Sequence, residues 1–378
     1  MSTNGRRLAL AIPSQVMNIG SRPVIILGMG CTGSKDLLPE LMNLGIPVLT
    51  SWQAIDLVDN YHAGYCGRPG IYGQRAANHI LYHSDHVIAI GCRLSIWTVG
   101  YGEFAPHAKR TICDIDFDEL KRFPNADIRH IDARHFIKEL LAARIGDISE
   151  WQSICRFTRN RFPWIESIHA DTDYINSHGF AARLQPYLRD DEIIVTDAGS
   201  ACTGPFQVMR FKPPQRLMTS GGLGEMGCAL PAAIGASIAS GKRVICFVGD
   251  GAMMLNLQEL ATIRSNNLPI KIFVFMNDGY AMIRGTQNTT LDGRYVAVNE
   301  ATGVWCPDFE RVAMAFDIPA FTIASPYDAG LAFKYLDAEG PMLVQVNLDP
   351  NQVYGPKLQP IKNNDGSISN ARFDQMQP

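Results

Sequence analysis

The chain has no basic cluster longer than a pair such as Arg6-Arg7, and its formal charge is −3 over 378 residues. Without a positive stripe to neutralise phosphates there is no electrostatic footprint for DNA or RNA, and no nucleic-acid partner is expected. No apolar run reaches the ~18 residues that a spanning helix needs, so no membrane partner is expected. The nearest imitation of a targeting segment, Arg6-Arg7 followed by Leu8 to Ile12, is short and stopped by Pro13. The nine cysteines (Cys31, Cys66, Cys92, Cys113, Cys155, Cys202, Cys228, Cys246 and Cys306) are odd in number, scattered and free of any Cys-x-x-Cys pair. They read as buried thiols in a reducing, cytoplasmic setting. The nine histidines are read as lacking metal-ligand spacing and are assigned no chemistry. No repeat of solenoid period is visible.

What is present is ordinary globular composition, 46% apolar and 19% charged, in a chain long enough for two domains. Strand-like runs at Pro23 to Leu27, Val48 to Ser51, His86 to Ile90 and Arg110 to Ile115 alternate with helical patterns at Lys35 to Leu44, Gly73 to His83 and Arg134 to Ala143. A second alternation carries strands at Glu192 to Thr196, Arg243 to Val248, Ile270 to Phe275, Ala320 to Ile323 and Met342 to Val346. Strands and helices alternating at these lengths predict an α/β fold with two Rossmann-like, doubly wound parallel sheets. The expected division is a first domain over 1–146, a polar linker over 147–178, a second domain over 179–349, and a tail over 350–378. The tail is rich in Asn, Gln, Pro and Lys and is expected to wrap over a surface or stay partly disordered.

The most informative stretch is Val248-Gly249-Asp250-Gly251, with Asn277-Asp278-Gly279-Tyr280 beginning 27 positions after Asp250. Both Asp250 and Asn277 follow strand-like runs. In an open parallel sheet such strand ends share one crevice with the following helix N-termini, where a carboxylate and an amide oxygen can hold a divalent cation against a diphosphate. Gly28-Met29-Gly30-Cys31-Thr32-Gly33 also follows a strand and fits the dinucleotide fingerprint. However, the next strand ends in Thr50-Ser51, with no acid for a ribose hydroxyl, so a nicotinamide dehydrogenase is the weaker alternative.

Gly249-Asp250-Gly251 with Asn277, preceded by Thr219 to Gly227 and Leu230 to Ala236, resembles the signature of thiamine diphosphate enzymes, specifically the acetolactate synthase-like group. Arg22 to Gly28, Ala76-Ala77-Asn78, Ile90 to Leu94 and Cys113 to Asp116 are similar to that group's central domain. The likeness implies thiamine diphosphate and Mg²⁺ as cofactors. FAD occurs in some relatives, but Ser95-Ile96-Trp97 stands where the FAD-binding ones carry Phe-Asp-Asp-Arg, which counts against it.

Carried over residue by residue, the resemblance assigns Asp250, Asn277 and the carbonyl of Gly279 to the metal. It assigns the backbone of Gly199, Ser200, Gly251 and Ala252 to the diphosphate, and Tyr280, Ala281 and Met282 to the cofactor pocket. Met226 would be the apolar wedge that bends the cofactor, so that the 4′-amino group reaches the thiazolium carbon, and the carbonyl of Gly224 would accept from that amino group. The plain alternative for Met226 is a gap-filling core methionine. Glu225, where a small or hydroxylic residue is typical, either favours a helix N-terminus or selects a hydroxyl-bearing acceptor. Thr286 stands where relatives carry a Trp that narrows the acceptor pocket.

Full-length relatives begin with a pyrimidine-binding domain that supplies a catalytic glutamate. Only 21 residues precede Arg22, so the expectation is a split enzyme in which a separate subunit brings that domain, assembled as a dimer of heterodimers. The implied reaction is decarboxylation of a 2-oxo acid, pyruvate first, and transfer of the two-carbon unit to a carbonyl acceptor. The alternatives are a simple 2-oxo acid decarboxylase subunit and a non-catalytic cofactor-binding or regulatory subunit.

Overall fold

The computed structural model describes residues 18–359, 361, 362, 365 and 368–378; the segment Arg6 to Ile12 lies outside them. Two parallel sheets organise the chain. The first contains β1 (Pro23–Leu27), β2 (Val48–Thr50), β3 (His86–Ile90), β4 (Lys109–Asp114) and β5 (Asp127–His130) in the order β2-β1-β3-β4-β5. The second contains β6 (Ile193–Thr196), β7 (Arg216–Thr219), β8 (Val244–Gly249), β9 (Ile270–Met276), β10 (Ala320–Ile323) and β11 (Met342–Asn347), ordered β10-β11-β9-β8-β6-β7.

Both sheets are covered on both faces, and the strand sequences show why. Side chains alternate across a strand. Ile25 and Leu27 enter one core and Val24 and Ile26 the opposite one. In β8, Ile245 and Phe247 face one core while Val244, Cys246 and Val248 face the other. Near-continuous apolar runs are what strands buried on two sides require.

Two strands of these sheets have no counterpart in the sequence reading. β5 (Asp-Ile-Arg-His) and β7 (Arg-Leu-Met-Thr) are edge strands, each paired to one neighbour and partly exposed, so their hydrophobic signal is weak. The stretch expected to be a polar linker carries the helix Ser149–Arg161. Its Trp151 and Cys155 are buried in the first domain's core, and Trp151 Nε1 donates to the Pro23 carbonyl at 2.9 Å. The tail also does more than wrap: Leu358, Phe373 and Met376 belong to that same core. Seven of the nine cysteines are buried and free, whereas Cys228 and Cys306 are only half-buried. No helix among the described residues is long and apolar enough to cross a membrane.

Chain order reverses between β1 and β3 in the first sheet and between β6 and β8 in the second, and such switch points open crevices at the carboxyl ends of the strands. In the first sheet the crevice is closed tightly by backbone. Gly28 N–H donates to the Ile90 carbonyl and Gly30 N–H to the Gly91 carbonyl, both at 3.0 Å. A Cβ on Gly28 would lie 2.0 Å from the Gly91 carbonyl oxygen. These glycines therefore let two loops touch, and their donors are spent inside the protein rather than offered to a pyrophosphate, which weakens the fingerprint reading further.

Gly28→Ala should accordingly lower the thermal midpoint by about 5 °C or more through overpacking. Gly33→Ala, where a Cβ meets nothing within 4 Å, should leave it unchanged. Calorimetry of both variants checks this, and equal effects would contradict the close-approach account.

Candidate cofactor site

Parallel pairing sets β6, β8 and β9 side by side, with Thr196 opposite Phe247 and Gly249 opposite Phe275, so the loops that follow them are neighbours. Asp250 opens the short helix Asp250–Met253 immediately after β8 and is 1% exposed. Its Oδ1 accepts from Gly251 N–H at 2.7 Å; its Oδ2 accepts from Asn277 N–H at 3.0 Å and Gly279 N–H at 2.9 Å. Burial pushes the Asp250 carboxyl above the ordinary range, and these three donors together with Arg284 pull it back in part. By lone-pair count Oδ2 is saturated and Oδ1 keeps one free position.

Asn277 is held from its nitrogen side. Nδ2 donates to Ser200 Oγ at 2.8 Å and to the Tyr354 hydroxyl at 3.2 Å, which fixes the amide so that Oδ1 is turned away from both. That oxygen is buried and has no partner. A buried amide oxygen left without a donor is unfavourable unless a ligand satisfies it. Asp250, with its own free position, lines the same cavity. Two hard oxygens from a carboxylate and an amide are the donor set Mg²⁺ takes. Gly279, at φ +91°, turns the chain here, and its carbonyl accepts from Ala281 N–H at 3.1 Å with one lone pair left over. A Cβ on Gly279 would sit 2.5 Å from the Val298 carbonyl oxygen, so the position demands glycine on both counts.

The loop is locked by a residue to which the sequence reading gave no role. Arg284 is buried and donates to the carbonyls of Asp278 and Asn277, each at 2.7 Å, and of Pro350 at 2.5 Å. Tyr354 was likewise missed. It comes from the tail, its hydroxyl meets both Asn277 and Ser200, and burial pushes the phenol up to about 12. Asp197, given no role in the sequence reading, follows β6 and accepts from Ala198 N–H at 2.8 Å, Gly227 N–H at 3.0 Å and Ala229 N–H at 2.9 Å. It thereby pins the start of the helix Ala229–Ser240 and the Gly221 to Met226 loop that precedes it. Burial raises this carboxyl too.

All twelve residues expected at the cofactor line a single cavity of about 540 Å³. Gly199 (φ +66°) caps the helix Ser200–Val208, whose N-terminus opens onto the cavity. The Gly251 N–H is committed to Asp250, so Ala252, Gly199 and Ser200 remain the backbone candidates for an anion. Tyr280 packs its ring against Gly251, where a Cβ would meet Tyr280 Cε1 at 2.3 Å. Met226 is not a core methionine: it is 36% exposed on the cavity, with its Cε reaching over Gly251. Gly224 adopts φ +69°, which glycine permits. Glu225 is fully exposed, and its hydrogen bond with the Ser220 side chain holds its carboxyl below the usual range. The opposite wall belongs to the first domain and includes Gly28, Trp52, Gln53, Arg93 and Trp97. Arg93, after which the FAD-binding pattern departs, is paired with Glu119 at 2.7 Å.

Comparison with known proteins agrees with this geometry. Residues 14–140 match the central domain of thiamine pyrophosphate enzymes, and residues 197–346 match their C-terminal TPP binding domain. Among curated proteins the chain is 28% identical over 354 residues to the acetolactate synthase isozyme 1 large subunit of Escherichia coli, covering 91% of this chain and 62% of that protein. It is 31% identical over 353 residues to the probable acetolactate synthase large subunit of Methanococcus aeolicus, covering 87% and 58% respectively. It is 30% identical over 363 residues to the isozyme 2 large subunit of E. coli, covering 93% and 64%. The chain thus spans about three fifths of the length of these relatives.

Asp250→Asn should weaken Mg²⁺-dependent binding of thiamine diphosphate by about 100-fold, since a charged oxygen is lost and an NH₂ is set against backbone donors. Arg284→Met, which only loosens the loop, should weaken it by about tenfold. Titration of Trp52 and Trp97 fluorescence checks both, and an Asp250→Asn affinity equal to wild type would remove Asp250 from the metal.

Proposed function

The chain belongs to the thiamine pyrophosphate enzyme family, as an acetolactate synthase-like member, and on that premise we propose that it is the thiamine diphosphate- and Mg²⁺-binding subunit of a split carboligase. The observation that carries the reading is the buried, unpartnered Asn277 Oδ1 in the cavity that Asn277 and Asp250 line together. Asp250, Asn277 and the Gly279 carbonyl would hold the ion, and the helix start at Gly199 and Ser200 would face the diphosphate. When bound, thiamine diphosphate supplies the nucleophilic carbon that adds to a 2-oxo acid and then accommodates the charge left by loss of CO₂.

The chain's own residues do the positioning. Met226, whose Cε reaches over Gly251, would support a bent cofactor, and the carbonyl of Gly224 would accept from the cofactor's amino group. Neither is a proton donor, and a separate subunit with the pyrimidine-binding domain would bring the catalytic glutamate. A dimer of such pairs in the cytoplasm is the assembly we propose. FAD is left out of the assignment because Ser95-Ile96-Trp97 departs from the FAD-binding pattern. The donor is pyruvate or a close 2-oxo acid.

For the acceptor, Thr286 is exposed on the cavity one turn beyond Met282, its hydroxyl donating to the Met282 carbonyl at 3.1 Å. A small residue there leaves room for an acceptor larger than a second pyruvate, a keto-sugar for example.

Native mass spectrometry of the protein taken gently from its source should show a second polypeptide and a mass increment equal to thiamine diphosphate plus Mg²⁺. A homo-oligomer with neither would overturn the split-enzyme reading. With the reconstituted complex, pyruvate plus a keto-sugar should give the larger ligation product, and Thr286→Trp should shift the product ratio toward acetolactate by about tenfold. Release of the simple aldehyde with every acceptor would instead identify a decarboxylase.

A further inference from the structure

His79 and His83 were assigned no chemistry from sequence, yet they stand four positions apart at the C-terminal end of the helix Arg75–Tyr82 and its cap, hence on one face. Asp374, from the C-terminal segment 291 positions later, comes up against them. Ligand atoms of the three side chains lie within 4.8 Å of one another. We propose that His79, His83 and Asp374 form a binding site for a divalent transition ion, Zn²⁺ by its chemistry, which clips the C-terminal segment onto the first domain.

Three observations support the geometry. The imidazole centroids of His79 and His83 are 4.4 Å apart, and His83 Nε2 is 3.2 Å from Asp374 Oδ2. Ligands around a tetrahedral ion at ~2.1 Å stand about 3.4 Å from each other, so closure asks for side-chain rotation of about an ångström and no backbone movement. The Asp374 side chain is only 4% exposed and is oriented by Arg372, whose Nε and Nη2 donate to its two oxygens at 2.7 and 2.9 Å. An outer partner that aims a ligating carboxylate is the usual support of a metal site.

Two imidazoles and one carboxylate match Zn²⁺ with a fourth, open position, whereas Mg²⁺ would require more oxygens. Arg372 and Arg161 place positive charge nearby, so roughly micromolar affinity is expected.

The ion would secure a strap. Arg75, at the other end of the same helix, donates to the Met376 carbonyl, so residues 374–376 are gripped at both ends of one helix. Gln377 pairs with Lys357 through two backbone bonds of 2.9 Å, and three residues before Lys357 stands Tyr354, on Asn277. The proposal rests on side chains outside the cleft and is independent of the catalytic reading.

The test uses the full chain, stripped with chelator and titrated with ZnCl₂ in a calorimeter with Mg²⁺ in excess. One Zn²⁺ per chain should bind, at least tenfold more weakly in His79→Gln and in His83→Gln, and unchanged in His135→Gln, an exposed histidine outside the cluster. Zn²⁺ should slow hydrogen exchange over 373–377 in wild type but not in His83→Gln. Should a variant fold poorly, Co²⁺ added to wild type decides: bands of a nitrogen and oxygen site are expected, and a thiolate charge-transfer band would place the ion on cysteine and overturn the proposal. Equal Zn²⁺ affinity in wild type and both cluster variants, or no binding at about 100 µM, would overturn it as well.

Discussion

The cleft depends on one buried carboxylate. Asp250 gathers backbone N–H groups from its own helix start and from the loop after β9, and so ties two strand ends into one surface. A buried carboxylate is tolerated only when its oxygens are satisfied, and here backbone donors do most of that without neutralising the charge. The group consequently stays raised and electrostatically unfinished. Asp197 repeats the device one strand over, collecting N–H groups from Ala198, Gly227 and Ala229. Between them the two aspartates set the loops after β6 and β8, the segment 277–279 and the wall that carries Met226. Every other polar contact of the site is built onto that frame, with Arg284 closing the carbonyls of the 277–278 turn from behind.

The two domains are joined by polar groups that leave little freedom for the cleft between them. Gln207 is buried at the junction: its amide donates to the carbonyls of Gly73 and Pro356, its Oε1 accepts from His178 Nε2, and its own carbonyl accepts from Gln74 Nε2. Three other segments thus converge on one residue. Asp56 of the first domain pairs with Arg216 and accepts from Leu217 N–H at the edge strand β7. Buried polar networks with every member satisfied specify a single arrangement. The cavity walls contributed by Trp52 and Trp97 on one side and by Gly224 and Thr286 on the other are therefore set by the fold before any ligand arrives.

What could be read in the sequence follows the range of the interactions concerned. Central strands such as β1, β8 and β9 announce themselves because burial on both faces demands unbroken apolar runs. β5 and β7, at the edges, carry Arg, Asp and Thr and do not. Asp250 and Asn277 were legible because the strand-helix-strand unit between them is local. Tyr354 was not, since it sits 77 residues beyond Asn277 in a segment whose composition resembles a loose tail. Its neighbours Leu358, Phe373 and Met376 are too widely spaced to form a periodic pattern, yet each finds a place in the first domain's core. Asp197 hid in a common turn tetrapeptide, and its importance appears only when the helix at Ala229 is brought beside it. His79 and His83 did have helical spacing to betray them, but the third ligand lies almost 300 residues away.

The case for a ligand at Asn277 is sharpened by contrast with two arginines that also keep unpartnered buried atoms. Arg68 leaves Nε and Nη1 unbonded, and Arg110 leaves Nε unbonded. Their guanidinium carbons stand 4.6 Å and 4.9 Å from the ring centroids of Trp164 and Phe104. An aromatic face attracts a cation and repays part of the missing hydrogen bonds. Arg68 further keeps one strong bond, to the Met209 carbonyl at 2.8 Å across the domain junction. An amide oxygen gains nothing comparable from a ring face, whose own charge is negative. Asn277, whose backbone N–H donates to Asp250 Oδ2, instead shares a cavity wall with that carboxylate. Seven hydrogen bonds of Asp250, Asn277 and the 277–278 turn fix the carboxylate and the amide on one cavity wall, an arrangement that a cation bound by both would complete.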